Sequence, residues 1–471
     1  MNAHPKPSRN FVTRGIVVAV ALGLWFAPVP EGLTPKAWHL FAIFGSAILS
    51  VILTAFPLFT AAMIALAASV ITGTVVPAKA FGGFANGSVL LVVVAFLVAR
   101  GVVKSGLGRR LSYVVVALFG RSTLGLAYSI FLTDALIAPA FPSNTARGGV
   151  LFPIVLSLAH SGGSTTEDGT ERRMGAFLMF CGMASLSVSS ALWLTATSAN
   201  PIGVEIGRTF GLSIGFGSWL LAASVPTVVA ILLVPLMLYK VFPPEVKKTP
   251  GAPSAARDAL REMGRMSRDE KVVAAAFALM VTGWVLAGTL KLDLTAVAFA
   301  GLATLLATRV LTLEDLSREG DTLVTFFWLA VLFALSGQLN ELGFMGYVGE
   351  RLARRLEGIP WPAAYAALLA LYVLIHYLFV SQSSQVLALF GVFLEVGIRT
   401  GVPKAVLAFA LLFASSYFST ITPQGGSQNV IFVGSGYVAQ GTLYRLGLLT
   451  TAFCLLVFLV VGTPWLLFVA R

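Results

Sequence analysis

Pro142-Ser143-Asn144-Thr145-Ala146-Arg147-Gly148-Gly149 is a polar string between two apolar half-segments, in a chain that is apolar nearly throughout. Its residue types suit a small anion. Ser143, Asn144 and Thr145 offer neutral donors and acceptors, and Arg147 brings a fixed positive charge. A helix starting near Ala146 adds free backbone N–H groups and a partial positive charge. Such helix ends hold carboxylates well. A second break of this type, Ser381-Gln382-Ser383-Ser384-Gln385, lies in the other half of the chain. Hydrocarbon tolerates unpaired polar backbone only where it lines a buried or wet cavity. Two matching interruptions, one per half, are the sequence pattern of a transporter binding site.

Two further strings supply unwound backbone: Thr195-Ala196-Thr197-Ser198-Ala199-Asn200-Pro201, and Thr420 through Asn429 with Thr422-Pro423 at its centre. Proline removes a donor and frees a carbonyl one turn earlier. Asn200, Pro201, Thr422 and Pro423 therefore join Ser143, Asn144, Thr145, Arg147, Ser381, Gln382 and Ser383 as candidate substrate contacts. The tips are expected to line a cavity and to pack little. Opposing helix C-termini can instead hold a cation, which leaves open a sodium ion near Ser143, Asn144 and Gln382. Arg147 reads equally as a substrate contact or as the partner of Asp134 on the preceding half-segment. His376 reads as a hydrogen-bonded packing histidine in preference to a proton relay.

No nucleophile stands beside a base, no glycine-rich phosphate loop opens a helix, and no metal-ligand spacing occurs. Cys181 and Cys454 lie in apolar stretches and suggest neither a disulfide framework nor a metal site. The reading is therefore a non-enzyme without a cofactor, sodium as a coupling ion remaining open.

The elements that must position these strings are spanning helices. The chain has 471 residues, 57% hydrophobic and 11% charged, against about 25% charged in soluble domains. Its mean hydropathy is +0.88. The net charge of +12 could suggest nucleic acid. The Lys and Arg residues sit in loops between apolar runs, as membrane orientation requires, so nucleic acid is rejected. At about 20 residues per crossing, about eleven transmembrane helices are expected. They fall at 11–30, 37–54, 58–76, 88–104, 174–199 and 216–239, then at 271–289, 294–311, 321–340, 403–421 and 441–469. Stretches 123–159 and 360–398 are each broken near the middle and read as re-entrant hairpins.

The polar stretch 243–270 reads as a cytoplasmic linker between a first repeat, 1–242, and a second, 271–471. Each half runs scaffold helices, hairpin, then a proline-broken helix, which is the layout of an inverted-topology repeat. The fold class is thus an all-α polytopic membrane transporter. The run 15–27 continues through Pro28-Val29-Pro30 without a cleavage site and reads as a first span. The bias of basic residues, Lys6, Arg9 and Arg14 among them, places the N-terminus in the cytoplasm and the C-terminus, after Arg471, outside the plasma (inner) membrane. Arg351, Arg354 and Arg355 fall on the outer side and suggest a surface helix.

The motifs resemble the divalent anion:sodium symporter (solute carrier 13) family. Pro142 through Gly149 is most similar to its exchanger branch, the citrate/succinate and tartrate/succinate antiporters and plastid 2-oxoglutarate/malate translocators. Leu194-Thr195 through Asn200-Pro201, His376-Tyr377-Leu378-Phe379 and Gly434-Ser435-Gly436-Tyr437-Val438 resemble that branch too. The resemblance implies alternating-access transport of di- or tricarboxylates held at the tips, in a homodimer. The second tip departs from it: exchangers tend to have Thr at Ser383 and His at Gln385. Thr422-Pro423-Gln424 stands where they tend to have Thr-His-Tyr, and Asn429 resembles the Pro-Pro-Asn of sodium-coupled members. Exchange is the preferred reading. Sodium symport is the alternative. An anion channel fits less well, because channels favour rings of identical groups. A hydrolase lacks its catalytic pair.

Overall fold

Residues 7–379, 381–417 and 419–470 are described by the computed structural model, so Lys6 and Arg471 lie outside the described residues. The fold is all-α. Among the described residues, six helices are long and apolar enough to cross a membrane: Pro35–Ile52, Pro77–Ser105, Thr123–Ala140, Phe216–Val241, Gly320–Glu341 and Gln440–Val469. Shorter apolar helices include Phe11–Phe26, Leu58–Ile71, Leu294–Ala307 and Trp361–His376.

Breaks in these helices fall where the polar strings are. The first broken stretch is a helix Thr123–Ile137, a short tight turn Ala138–Ala140, and a helix Asn144–Ser161. Ser143 caps the second of these helices by accepting from Ala146 N at 3.3 Å. In the other half, Trp361–His376 is followed by a cap at Ser381 and a short helix Gln382–Gln385. That helix widens into a π turn over Val386–Phe390 before Gly391–Arg399, a deviation frequent at functional sites. The expected helix 174–199 stops at Ser189 and resumes at Ala199. The expected helix 403–421 runs Lys404–Tyr417 and resumes at Ser427.

The backbone clusters into two compact units, each drawing on both halves of the chain. The first holds Met1–Val93, Ile202–Leu212 and Glu319–Leu411. Its central helix is Gly320–Glu341, packed against Pro35–Ile52, Leu58–Ile71 and the segment from Pro77. Gly83 permits the closest of these approaches, since a Cβ there would fall 1.9 Å from Ala330 O. Helix Phe344–Arg354 in this unit exposes Arg351 and Arg354, as the basic run suggested.

The second unit holds Val94–Pro201, Ser213–Arg318 and Leu412–Arg471. Every residue of Gly175–Ser189 is buried at its centre. A helix apolar all round belongs in a core. It packs against Thr123–Ile137, Asn144–Ser161, Phe216–Val241 and Ser427–Gly434. The linker 243–270 is not plain coil. It contains a helix, Ala252–Glu262, whose buried Ala252, Pro253 and Ala256 lie on helix Leu107–Phe119. Arg110 grips Glu270 with both ends of its fork, at 2.6 and 3.1 Å. That hydrogen-bonded guanidinium holds the Glu270 carboxyl below the usual carboxylate range.

Candidate functional site

Asp134 and Arg147 are both fully buried, on the two half-helices that flank the first tip. An isolated charge at such depth is costly, so it must be paired and hydrogen-bonded. Arg147 Nη1 donates to Asp134 Oδ1 at 3.0 Å and to Ser189 Oγ at 2.6 Å. Arg147 Nη2 donates to Asn144 Oδ1 at 2.5 Å, to Leu186 O at 3.2 Å and to the Ser190 hydroxyl. Ser189 in turn donates to Asp134. Ser190 Oγ donates to Asn144 Oδ1 at 2.7 Å. Both Nη atoms of the guanidinium are surrounded by oxygens of its own protein, while Nε is buried without a partner among the described residues. Of the two readings left open for Arg147, this geometry supports the ion pair with Asp134.

Asn144 follows from this network. It is 3% exposed, so the expectation of a loosely packed tip does not hold there. Arg147 and Ser190 draw its side chain inward. A carbonyl oxygen has two lone pairs, and both of these donors address the same Oδ1. Thr145 is exposed and Ser143 half-buried, so these two are the tip side chains a ligand can reach. Ser189 and Ser190 were not singled out from sequence, because serine in an apolar helix reads as a small packing residue.

The second unit brings the first tip, the first break and the second break together. Ser198 N donates to Pro142 O at 3.0 Å, and Thr195 Oγ1 to Pro139 O at 2.9 Å. Helix Ser427–Gly434 packs on Asn144–Ser161, so close that a Cβ on Gly148 would meet Ile431 at 3.3 Å. The Ser187 and Ser419 hydroxyls meet at 2.6 Å. Three helix starts, at Asn144, Ala199 and Ser427, thus belong to one cluster, and each brings partial positive charge.

The two breaks share one device. Asn200 Nδ2 donates to Ser190 O and Trp193 O, at 2.9 and 3.1 Å. Asn429 Nδ2 donates to Ser419 O and Thr422 O, at 2.6 and 2.8 Å. Each asparagine therefore straps the carbonyls ten and seven residues before it. Each leaves Oδ1 buried and without a partner among the described residues. Asn200 and Pro201 are buried, whereas Thr422 and Pro423 are half-exposed. We expect Asn429→Asp, which keeps the shape but removes both donors, to lower transport at least tenfold, because two buried carbonyls lose their partner at about 1–3 kcal/mol each. Initial uptake rates in proteoliposomes measure this; wild-type rates would show that the strap does not matter.

The second tip lies in the first unit. Gln382, Ser383, Ser384 and Gln385 are buried, and Ser381 is half-buried. His376 Nδ1 bonds Gln385 Oε1, and Gln385 Nε2 donates to Tyr372 O at 2.8 Å. His376 is buried, and its hydrogen bond to Gln385 ties it to the helix after the tip. Ser336 Oγ donates to Leu387 O at 3.1 Å within the π turn. Among the described residues no group of His, Cys, Asp and Glu could hold a metal ion.

A family model described as the sodium:sulfate symporter transmembrane region matches residues 8–470. The chain belongs to the sodium:sulfate symporter family. It is a membrane transporter and not an enzyme. Relatives within this family include YflS of Bacillus subtilis, named as a malate transporter. It is 39% identical over 96% of this chain and 95% of that protein. Dicarboxylate transporter 1 of Arabidopsis thaliana chloroplasts is 37% identical over 99% of this chain and 85% of its own. The inner membrane protein YbhI of Escherichia coli is 32% identical over 96% of each. Among solved structures, the MtrF transporter of Neisseria gonorrhoeae superposes with a TM-score of 0.57 at 17% identity, over 98% of this chain and 96% of that one. YdaH of Alcanivorax borkumensis gives 0.55 at 19%, over 82% and 87%. At these identities the likeness is one of fold.

Proposed function

We infer that this family member exchanges small dicarboxylates across the plasma membrane by alternating access, without sodium. The substrate class is supported by the relatives named for malate and dicarboxylate transport. It is also supported by the three helix starts clustered at the first tip and the two breaks. Ser143, Thr145, Thr422 and Pro423 are the reachable groups there, and Ser381, Gln382 and Ser383 form the matching set at the second tip. The inverted repeat, the re-entrant hairpins, a homodimer and a cytoplasmic N-terminus belong to this reading.

One observation carries exchange over symport. The Arg147 guanidinium takes up Asn144 Oδ1, the Ser189 and Ser190 hydroxyls and Leu186 O. These are the oxygens a bound cation would gather. A permanent cation in their midst leaves the first tip nothing to gain from sodium. The Oδ1 atoms of Asn200 and Asn429, buried and without a partner among the described residues, favour the second reading, since a coupling cation could use them as ligands. Counterflow of labelled dicarboxylate in sodium-free proteoliposomes separates the two. Persistence supports exchange, and loss supports symport.

A further inference from the structure

We propose that the linker 243–270, with helix Leu107–Phe119 beneath it, is a fixed basic platform that binds the anionic headgroups of membrane phospholipids. The linker follows Phe216–Val241, which is long enough to cross the membrane, and precedes the apolar stretch 272–285. Both its ends therefore start at a membrane face, whichever side that is. Lys247, Lys248, Arg257, Arg261, Arg265 and Arg268 are all exposed along it. The exposed acids between Glu245 and Arg268 are Glu245, Asp258 and Glu262, and Asp258 is already paired with Arg261 at 3.1 Å. Glu270 is buried and consumed by Arg110. Arg109 and Arg121, on and just beyond the supporting helix, are exposed as well.

The backbone that carries these charges is fastened at several points. Thr123 N donates to Lys247 O at 3.2 Å, and Thr249 Oγ1 to Gly120 O at 2.7 Å. Val246 N donates to Arg173 O at 2.8 Å. At the far end Arg110 Nη1 donates to Gly264 O at 3.0 Å. A merely solvated linker needs none of these ties. A tethered array keeps several cations within reach of one another at the headgroup level. Phosphodiesters accept strong charge-assisted hydrogen bonds from guanidinium and ammonium groups. Polybasic segments beside a spanning helix are attracted to anionic leaflets over about one Debye length.

The test uses the full-length protein equilibrated with mixed phosphatidylcholine and phosphatidylglycerol, then repurified, with retained lipid quantified by mass spectrometry. Wild type should retain phosphatidylglycerol several-fold above its share of the mixture, and lose that enrichment in high salt. The fourfold variant Arg257→Gln, Arg261→Gln, Arg265→Gln, Arg268→Gln should approach the bulk ratio while eluting as wild type does. A control, Lys36→Gln with Lys291→Gln, alters exposed cations outside the platform and should keep the enrichment. Equal ratios in wild type and the fourfold variant would overturn the proposal. So would enrichment indifferent to salt, or capture of an acidic protein in place of lipid.

Discussion

Arg147→Ala should lose transport by about a hundredfold or more, the largest effect expected of any single change at the first tip. The side chain is fully buried and holds five oxygen partners. Its removal leaves Asp134 buried with no counter-charge, which costs about 3–5 kcal/mol. Asn144 and Ser190 each lose the hydrogen bond that Arg147 Nη2 gives them. Arg147→Lys should rescue little, because a compact ammonium cannot replace a planar fork that spans Asp134 on one side and Asn144 on the other. The double change Asp134→Ala with Arg147→Ala removes both charges. It should restore a monodisperse elution profile better than either single change, as coupled neighbours do. Its transport should stay low, because Asn144 Oδ1 still lacks the guanidinium that draws it inward. Recovery of transport as well as folding would reduce the pair to a structural tie.

Gly447→Val should produce the second large loss. A Cβ at Gly447 would lie 2.4 Å from Thr420 O and 2.5 Å from Ile421 Cα. Those neighbours are backbone, so helix Gln440–Val457 must back away or the second break must shift. Overpacking of this kind costs about 1–3 kcal/mol, and it falls beside the Ser419 and Thr422 carbonyls that Asn429 holds. Lower thermal stability and at least a tenfold drop in uptake are expected. Gly441, on the same helix, has open space around its Cβ position, so Gly441→Ala should be close to wild type. If both variants behave alike, the tight fit at Gly447 is not what matters.

The tips and breaks were legible in the sequence because a membrane makes polar residues conspicuous. Ser143 and Ser381 do cap helices, and Thr422-Pro423 does sit in an unwound segment, whereas Asn200-Pro201 falls in the first turn of helix Ala199–Thr209, where proline is tolerated because its missing N–H would have no helical partner. The pairing of Asp134 with Arg147 was legible as one of two options, and only the three-dimensional ring of oxygens separates them. The asparagine straps were not legible. Their acceptors are backbone carbonyls seven and ten residues away, and a bond of that kind leaves no residue-type signature. Helices Leu107–Phe119 and Ala252–Glu262 were missed because neither is long and apolar. Each is half-polar and stabilised by the other. The two compact units were hidden for a different reason: each is assembled from segments far apart in the chain, and no local period records that.

The central claim is that the guanidinium of Arg147 stands in for a coupling cation, so that transport is dicarboxylate exchange. The direct measurement is counterflow of labelled succinate or malate into proteoliposomes loaded with unlabelled dicarboxylate, with all sodium replaced by choline. Wild-type protein should accumulate label at nearly the rate seen with sodium, and an imposed sodium gradient should leave that rate nearly unchanged. Empty vesicles should take up almost none. Uptake that vanishes in choline and returns with sodium would contradict the account, and would assign the coupling to a cation held elsewhere, beginning with the free oxygens of Asn200 and Asn429.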